Sequence, residues 1–304
     1  MILLDIPLPA RPGPFDSGHN ATRARPRAVV YRLPLIYAML GLMADTVLYD
    51  LTEGLATITL NRPDAMNALD DETKAALRDA LRTAADETAV RAVLLTGNGR
   101  AFCVGQDLKE HIGALREKGG SALTTVREHY NPITLTLSGM PKPVVAAVNG
   151  VAAGAGAGFA FAADYRLMAD TAAFNTSFAG VALTADSGMS WSLPRLVGTA
   201  RATELLLFPR NVKAPEALEL GLANRVVAAA DLAAEAESVA RQLAQGPTAA
   251  YAALKESLAF GASHSLAETL EKEAELQIRA GGSADHAIAV EAFVNKEQPR
   301  YTGR

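Results

Sequence analysis

The sequence is poor in the residues that form disulfides or bind metal ions. It contains one cysteine, Cys103, and five histidines in 304 residues. A single cysteine excludes an intramolecular disulfide and a four-thiolate metal site, and a reducing cytoplasm is the simplest compartment for such a chain. The histidines are scattered, and none pair at a metal-ligand spacing such as H-E-x-x-H. We therefore expect no metal site.

The sequence also lacks a strong net charge and a long hydrophobic run. Its formal net charge is −4, with 49% hydrophobic and 20% charged residues, which is ordinary for a soluble globular protein. This balance predicts no strong electrostatic attraction to nucleic acid or to an anionic membrane. Residues 28–43 are apolar, but Arg32 and Pro34 interrupt them. The run is too short and too broken to span a membrane.

Residues 1–43 differ from the rest of the chain, with several prolines and arginines and little apolar periodicity. We expect a poorly ordered N-terminal extension, with Met43 opening the folded domain. A secretory signal and an arginine-rich transit peptide are the alternatives.

From Thr46 onward, apolar strand patterns alternate with helical ones. The unit strand–strand–helix recurs over residues 46–84, 90–138, 143–163 and 165–205. Such alternation predicts an α/β core with a partly parallel sheet. We expect a loop over residues 98–110 leading into a helix, one helix over 151–164, and one helical stretch over 265–295. No linker divides the chain, so we expect a core over 44–230 and a helical C-terminal region over 231–304.

Two glycine-containing segments, residues 101–110 and 149–158, each follow a buried strand and open a helix. The first N–H groups of a helix lack intrahelical partners and carry the positive end of its dipole. One such group from each loop, converging on a single oxygen, would form an oxyanion hole. The alternative is that both loops are only tight turns packing a helix on a sheet. The spacing of a dinucleotide-binding fingerprint is not met.

The combination of blocks resembles the crotonase (enoyl-CoA hydratase/isomerase) superfamily. The matching blocks are LNRPDAMNAL (60–69), VLLTGNGRAFCVGQDLKE (93–110), KPVVAAVNGVAAGAGAG (142–158), FNTSFAGVALTADSGMSWSLPRLVG (174–198) and APEALELGLANRVV (214–227). The resemblance implies a spiral of ββα repeats with a helical C-terminal trimerisation region, in a homotrimer or hexamer. It implies an acyl-CoA thioester substrate, with coenzyme A as part of that substrate and no separate cofactor.

The resemblance also assigns site residues. The thioester oxygen would lie between the N–H groups of Gln106 and Ala155, which would stabilise an enolate. The other implied contacts to coenzyme A or the acyl group are Ala65, Met66, Ala68, Val104, Asp107, Leu108, Gly154, Gly158 and Phe178. Arg62 and Lys296 are weaker candidates for the CoA phosphates, with solvated surface charge as the alternative.

The sequence departs from family hydratases, whose two catalytic glutamates would fall at Gly158 and Phe178. Neither residue moves a proton, so we expect no ordinary hydration. Asp186 matches an aspartate of isomerase branches, and the local sequence is closest to the branch of phenylacetate degradation. The predicted function is therefore a double-bond shift with Asp186 as acid and base.

Several alternatives remain open for Asp186 and for the function. One is that the aspartate only caps a helix, as Asp before Ser-Gly-Met-Ser indicates. The functional alternatives are a hydratase acting without the glutamate pair, an aspartate-nucleophile dehalogenase or thioesterase, and a catalytically silent acyl-CoA-binding protein.

Overall fold

The structure, a computed structural model, describes residues 46–118 and 123–304. The predicted extension, residues 1–43, lies outside the described residues. Ten strands are formed in this part of the chain: β1 (Val47–Thr52), β2 (Leu55–Leu60), β3 (Ala92–Gly97), β4 (Ala101–Cys103), β5 (Val144–Val148), β6 (Val151–Ala153), β7 (Tyr165–Ala169), β8 (Ala173–Asn175), β9 (Val212–Lys213) and β10 (Arg225–Val227).

The α-helices connect and follow these strands. In the described residues they are α1 (Asp71–Asp86), α2 (Leu108–Lys118), α3 (Asn131–Gly139), α4 (Ala155–Ala162), α5 (Met189–Val197), α6 (Thr199–Leu207), α7 (Ala214–Glu219), α8 (Leu232–Ala244), α9 (Thr248–Gly261), α10 (Leu266–Gly281) and α11 (Ala284–Asn295). Short 3-10 turns cover Pro63–Ala65 and Phe178–Val181, and a π-turn covers Val126–Tyr130.

The strands form two sheets. The larger has the order β1-β2-β3-β5-β7-β10, and the smaller has the order β4-β6-β8-β9. In the larger sheet β1 and β2 pair antiparallel, and the remaining described neighbours are parallel. Successive repeats thus contribute one strand to each sheet: β3 and β4, then β5 and β6, then β7 and β8. This arrangement confirms the predicted α/β class and the ββα repeats.

The central strands are buried on both faces, as parallel strands covered by helices usually are. All five residues of β5 are buried, and so are five of the six in β3. Helix α8 packs against β2, β3, β5 and β7, and its buried side chains Leu232, Ala236, Ala240 and Ala244 join the main core. The helical region predicted from residue 231 therefore begins with a helix that covers the core sheet.

Three local predictions are wrong in detail. Residues 98–110 contain the short strand β4, and 151–164 begin with the strand β6, because glycine turns separate these three-residue strands from the helices after them. Gly154, at φ 52° and ψ −124°, ends β6 and starts α4. The stretch 265–295 is two helices, since Ser283 caps α11 by accepting a hydrogen bond from the His286 N–H at 3.1 Å.

Two further properties bear on the class of protein. Across 46–118 and 123–304, no helix is both long enough and apolar enough to cross a membrane. Within those same ranges, no cluster of three or more histidine, cysteine, aspartate or glutamate side chains is arranged to hold a metal ion.

Candidate active site

The loop after β4 exposes the amide of Gln106. Gly105, at φ 84°, turns the chain, and Gln106 pairs with Leu69 as a parallel bridge. The Leu69 N–H donates to the Gly105 carbonyl at 2.8 Å. That carbonyl and the Gln106 N–H belong to one trans peptide plane and point in opposite directions. The Gln106 N–H therefore points away from Leu69.

The second amide belongs to the first residue of α4. The Gly158 N–H donates to the Gly154 carbonyl at 3.1 Å, so that carbonyl points along the helix. By the same trans-peptide geometry, the N–H of Ala155 points out of the helix N-terminus.

The loops that carry these two amides are in contact. A Cβ atom added to Gly105 would lie 3.0 Å from the Ala153 carbonyl oxygen and 3.4 Å from the Ala155 nitrogen. One added to Gly156 would lie 2.1 Å from the Cys103 carbonyl oxygen, which no side chain tolerates. The glycines thus serve close packing, as the tight-turn interpretation holds, and they let the loop that precedes Gln106 approach the backbone at Ala155.

Arg62 stabilises the loop over residues 62–69, which contains the predicted CoA contacts Ala65, Met66 and Ala68. Its guanidinium forms ion pairs with Asp70 at 2.9 Å and with Asp107 at 3.1 Å, and it also donates to the Ala68 carbonyl. Burial raises the pKa of Asp107, but Arg62 and the amides of the next helix bring it below its ordinary value. Arg62 is therefore a clamp between the two loops rather than a free phosphate ligand.

Asn67, which sequence reasoning missed, anchors this loop. It is fully buried, and both Met66 and Asn67 adopt positive φ, at 53° and 56°. The Asn67 side chain accepts from the Arg62 N–H at 2.9 Å and donates to the carbonyls of Asn98 and Ala101 at 3.0 and 2.8 Å. The signal was an asparagine in a loop, the residue type that most readily enters the left-handed region.

The remaining predicted CoA contacts differ in their burial and in their backbone hydrogen bonds. The N–H groups of Ala65, Met66 and Ala68 all donate to carbonyls within the loop, so these three amides are not free to donate to a ligand. Val104 is half-buried, and Leu108 is exposed at the start of α2. Lys296 is an exposed residue at the end of α11, consistent with a surface charge.

Asp186 is half-buried at the start of the segment that leads into α5. The Ser187 hydroxyl donates to its carboxylate at 2.8 Å. Burial raises the pKa of Asp186 above its ordinary value, and the Ser187 hydrogen bond offsets part of that rise. The capping interpretation is wrong, because the N-cap of α5 is Gly188 and no side chain in the described part of the chain caps this helix.

The two positions that would carry hydratase glutamates are filled differently here. A Cβ on Gly158 would lie 2.6 Å from the Ser187 Cβ and 2.8 Å from the Ser187 carbonyl oxygen. Phe178 is buried and belongs to the main hydrophobic core. Ser187, which lies next to Asp186, therefore occupies the space into which a side chain at position 158 would extend.

Tyr130 is a second residue that sequence reasoning missed. It ends the π-turn, is almost fully buried, and donates its hydroxyl proton to the Gln106 side-chain oxygen. Burial raises the pKa of Tyr130, and the negative charge of Asp186 adds to the rise. A buried tyrosine hydroxyl thus lies within electrostatic reach of Asp186 and touches the residue that carries one of the candidate amides.

Cys103 does not supply a nucleophile. The side chain is fully buried, and burial raises the pKa of its thiol to about 12. Since the thiolate is the reactive form, the thiol stays protonated at neutral pH. Cys103 is instead a packed residue of the main hydrophobic core.

Ser187→Ala is expected to move the acidic limb of the kcat/KM pH profile to higher pH. The hydroxyl stabilises the ionised carboxylate, so its loss raises the pKa of Asp186 further, and a reaction that uses this carboxylate as a base would need a higher pH. The measurement is kcat/KM against pH for the variant and for Ser190→Ala, an exposed serine nearby that serves as the control. An unmoved acidic limb in Ser187→Ala would show that Asp186 does not set it.

The chain is similar to known proteins over most of its length. The family model described as "Enoyl-CoA hydratase/isomerase" matches residues 50–304. A "probable enoyl-CoA hydratase" of Rhodobacter capsulatus is 45% identical over 259 residues, covering 85% of this chain and 98% of the relative. The 1,2-epoxyphenylacetyl-CoA isomerase of Escherichia coli is 38% identical, covering 86% of this chain and all of the relative.

A solved structure agrees as well. An enoyl-CoA hydratase/isomerase family member from Mycobacterium abscessus superposes with a TM-score of 0.83 at 47% identity, covering 85% of this chain and 100% of that one. The order of the blocks, the paired sheets and these matches lead to one conclusion: the chain belongs to the enoyl-CoA hydratase/isomerase, or crotonase, family.

Proposed function

We propose that the protein shifts a double bond in an acyl-CoA thioester, with Asp186 as acid and base. The observation that carries this proposal is that Asp186 lies next to Ser187, the residue that crowds position 158. The carboxylate of Asp186 is half-buried, and its neighbour Ser187 fills the space that a glutamate at 158 would need. An aspartate without the glutamate pair suits proton transfer between two carbons better than the activation of water.

The proposed reaction begins with the thioester oxygen between the N–H groups of Gln106 and Ala155. Asp186, as a carboxylate, removes the acidic proton from the carbon next to the thioester carbonyl. The electrons move onto the thioester oxygen as an enolate, and the two amides stabilise the developing charge. Asp186 then returns the same proton to a different carbon, so the double bond moves and the protein ends unchanged.

The raised pKa of Asp186 fits this role. Burial makes the carboxylate a stronger base than an exposed aspartate, and a base poised closer to neutrality transfers protons in both directions more readily. The same observation argues against a catalytically silent binding protein, in which burying a carboxylate beside the thioester site would lower stability and serve no function.

The name of the E. coli relative, a 1,2-epoxyphenylacetyl-CoA isomerase, supports isomerisation as the reaction class. The R. capsulatus relative supports the second candidate, hydration of a 2-enoyl-CoA, since its identity to this chain is 45%. Gly158 and Phe178 weigh against hydration, because neither side chain has a group that activates water.

The test is a substrate panel followed by ultraviolet absorbance and by mass spectrometry in D2O. We expect the protein to convert 3-enoyl-CoA into conjugated 2-enoyl-CoA and to exchange the transferred hydrogen with solvent slowly or not at all, since one carboxylate carries it. Hydration of 2-enoyl-CoA at a rate equal to or above the isomerisation rate would contradict the proposal.

We further propose that the protein assembles as a homotrimer or hexamer through its C-terminal helices. Helices α9 and α10 pack on each other and leave an apolar groove of about 610 Å³, lined in part by Leu254, Leu270 and Leu276. Leu258 and Ile278, on the same two helices, are 77% and 78% exposed. Exposed apolar surface of this kind marks an interaction site in a soluble protein. The molar mass in solution, from light scattering, tests the proposal, and a monomer would contradict it.

We also propose a cytoplasmic location, because the single cysteine, Cys103, is free and the cytoplasm keeps thiols reduced.

A further inference from the structure

We infer that Tyr130 is a positioning residue that holds the Gln106 and Ala155 amides in place for the thioester oxygen. The inference rests on the proposed function, since it assigns the support of that same site. Tyr130 touches the supports of both amides, through its hydroxyl on one side and its ring on the other.

The hydroxyl contact fixes the first amide. The peptide plane that carries the Gln106 N–H is held at its other end, where the Gly105 carbonyl accepts from Leu69 at 2.8 Å. Gly105 adopts φ 84°, a conformation that glycine reaches without strain. The bond from the Tyr130 hydroxyl to the Gln106 side-chain oxygen supplies a second fixed point, on the residue that carries the N–H group.

The ring contact fixes the second amide. Tyr130 packs edge-on against Phe159, with ring centroids 6.0 Å apart and an interplanar angle of 73°. Phe159 lies on α4 four residues after Ala155, and residues four apart share one face of a helix. The Tyr130 ring therefore bears on the face of α4 above the residue whose N–H opens the helix.

The π-turn explains how this tyrosine reaches the site. In a π-turn the hydrogen bond spans five residues, and here the Asn131 N–H donates to the Val126 carbonyl. The inserted residue rotates the following side chains relative to a regular α-helix, and π-turns are frequent at functional sites for that reason. Tyr130 is 2% exposed at the end of this turn.

The experiment measures the oxyanion site without turnover. The probe is 4-(dimethylamino)cinnamoyl-CoA, a conjugated thioester whose absorption moves to longer wavelength when its carbonyl is polarised. We expect wild type and Asp186→Asn to shift the band equally, because Asp186 does not touch the oxygen. Tyr130→Phe and Gln106→Met are expected to bind the probe within about threefold of wild type but to lose most of the shift.

Turnover supplies the second readout. For 3-enoyl-CoA isomerisation, we expect Tyr130→Phe to lower kcat on the order of ten- to a hundredfold, the usual cost of displacing an oxyanion donor slightly, with KM changed by less than about threefold. Gln106→Met should lower kcat by the same factor. The double variant should be no slower than either single variant, because both substitutions remove the same hydrogen bond between Tyr130 and Gln106. Should Tyr130→Phe fold poorly, Gln106→Met alone carries the test.

The control is Tyr49→Phe, the same chemical change at a buried tyrosine hydroxyl that has no hydrogen-bond partner among the described residues. It is expected to leave the band shift and kcat unchanged. A full band shift in Tyr130→Phe, or losses of kcat that multiply in the double variant, would overturn this inference and leave the proposed function standing. A wild-type protein that binds the probe without any shift would instead overturn the oxyanion site, and the proposed function with it.

Discussion

Asp186→Asn is expected to lower the rate of 3-enoyl-CoA isomerisation by about 10²- to 10⁴-fold, the usual contribution of a positioned acid–base group. The amide keeps the size of the carboxylate and still accepts the Ser187 hydroxyl at the 2.8 Å contact, but it does not take a proton from carbon. The measurement is kcat by absorbance, with KM for the acyl-CoA expected to change little because the amides and the CoA loops are untouched.

The stability of this variant separates catalysis from structure. The pKa of Asp186 is raised in the folded protein, so the folded state holds the proton more tightly than the unfolded chain does. Ionisation above that pKa therefore destabilises the fold, and removing the charge is expected to leave the melting temperature at pH 7 unchanged or higher. Towards low pH, where the wild-type carboxyl is also neutral, the difference should disappear.

The control for this substitution is Asp170→Asn, which removes an exposed carboxylate after β7 whose oxygen accepts from the Ala229 N–H at 3.0 Å. An asparagine oxygen can keep that bond, so activity and stability should both stay at the wild-type level. Isomerisation by Asp186→Asn within tenfold of wild type would remove Asp186 from the mechanism.

Gly158→Ala is expected to lower kcat on the order of a hundredfold, because it would displace the proposed base, Asp186, without removing it. The new methyl group would lie 2.6 Å from the Ser187 Cβ and 2.8 Å from its carbonyl oxygen. Such contacts push the main chain of Ser187 away, and the neighbouring Asp186 moves with it. Gly281→Ala, where a Cβ meets no atom of the described residues within 4 Å, is the matched control and should retain full activity.

Gly158→Glu tests whether a glutamate at this position is sufficient for hydration. The substitution installs a hydratase-type glutamate, yet we expect no measurable hydration of 2-enoyl-CoA, because the side chain has no space beside Ser187. The assay is the loss of enoyl absorbance with each variant, alongside circular dichroism as a check on folding. Hydration gained by this single change would show that the backbone at Ser187 can move to make room for the glutamate. It would also show that the residue at position 158 alone determines which reaction is catalysed.

Much of the fold was predictable because its determinants are local in the sequence. The apolar runs at 90–97 and 142–150 are long enough to indicate buried strands, and the recurring strand–strand–helix order predicts the spiral. The strands β4 and β6 were not predictable, since three residues such as AFC or VAA carry no periodicity. Their strand character comes from pairing with each other across about fifty residues of chain.

The candidate site shows the same division. Gln106, Ala155 and Asp186 were selected from the sequence, because glycine turns and an acid in a matched block are visible there. Tyr130 was not selected, since its contact with Gln106 joins positions 24 residues apart and depends on a π-turn. A one-residue change in helix register alters which side chain faces inward, and no sequence periodicity reports it.

The tight contact between Gly158 and Ser187 also bears on how such proteins diverge. Two positions 29 residues apart compete for one volume, so a glutamate gained at the first is accommodated only if the backbone at the second has already withdrawn. The effects of substitutions at positions 158 and 187 are therefore expected to be non-additive, since each residue sets the room available to the other.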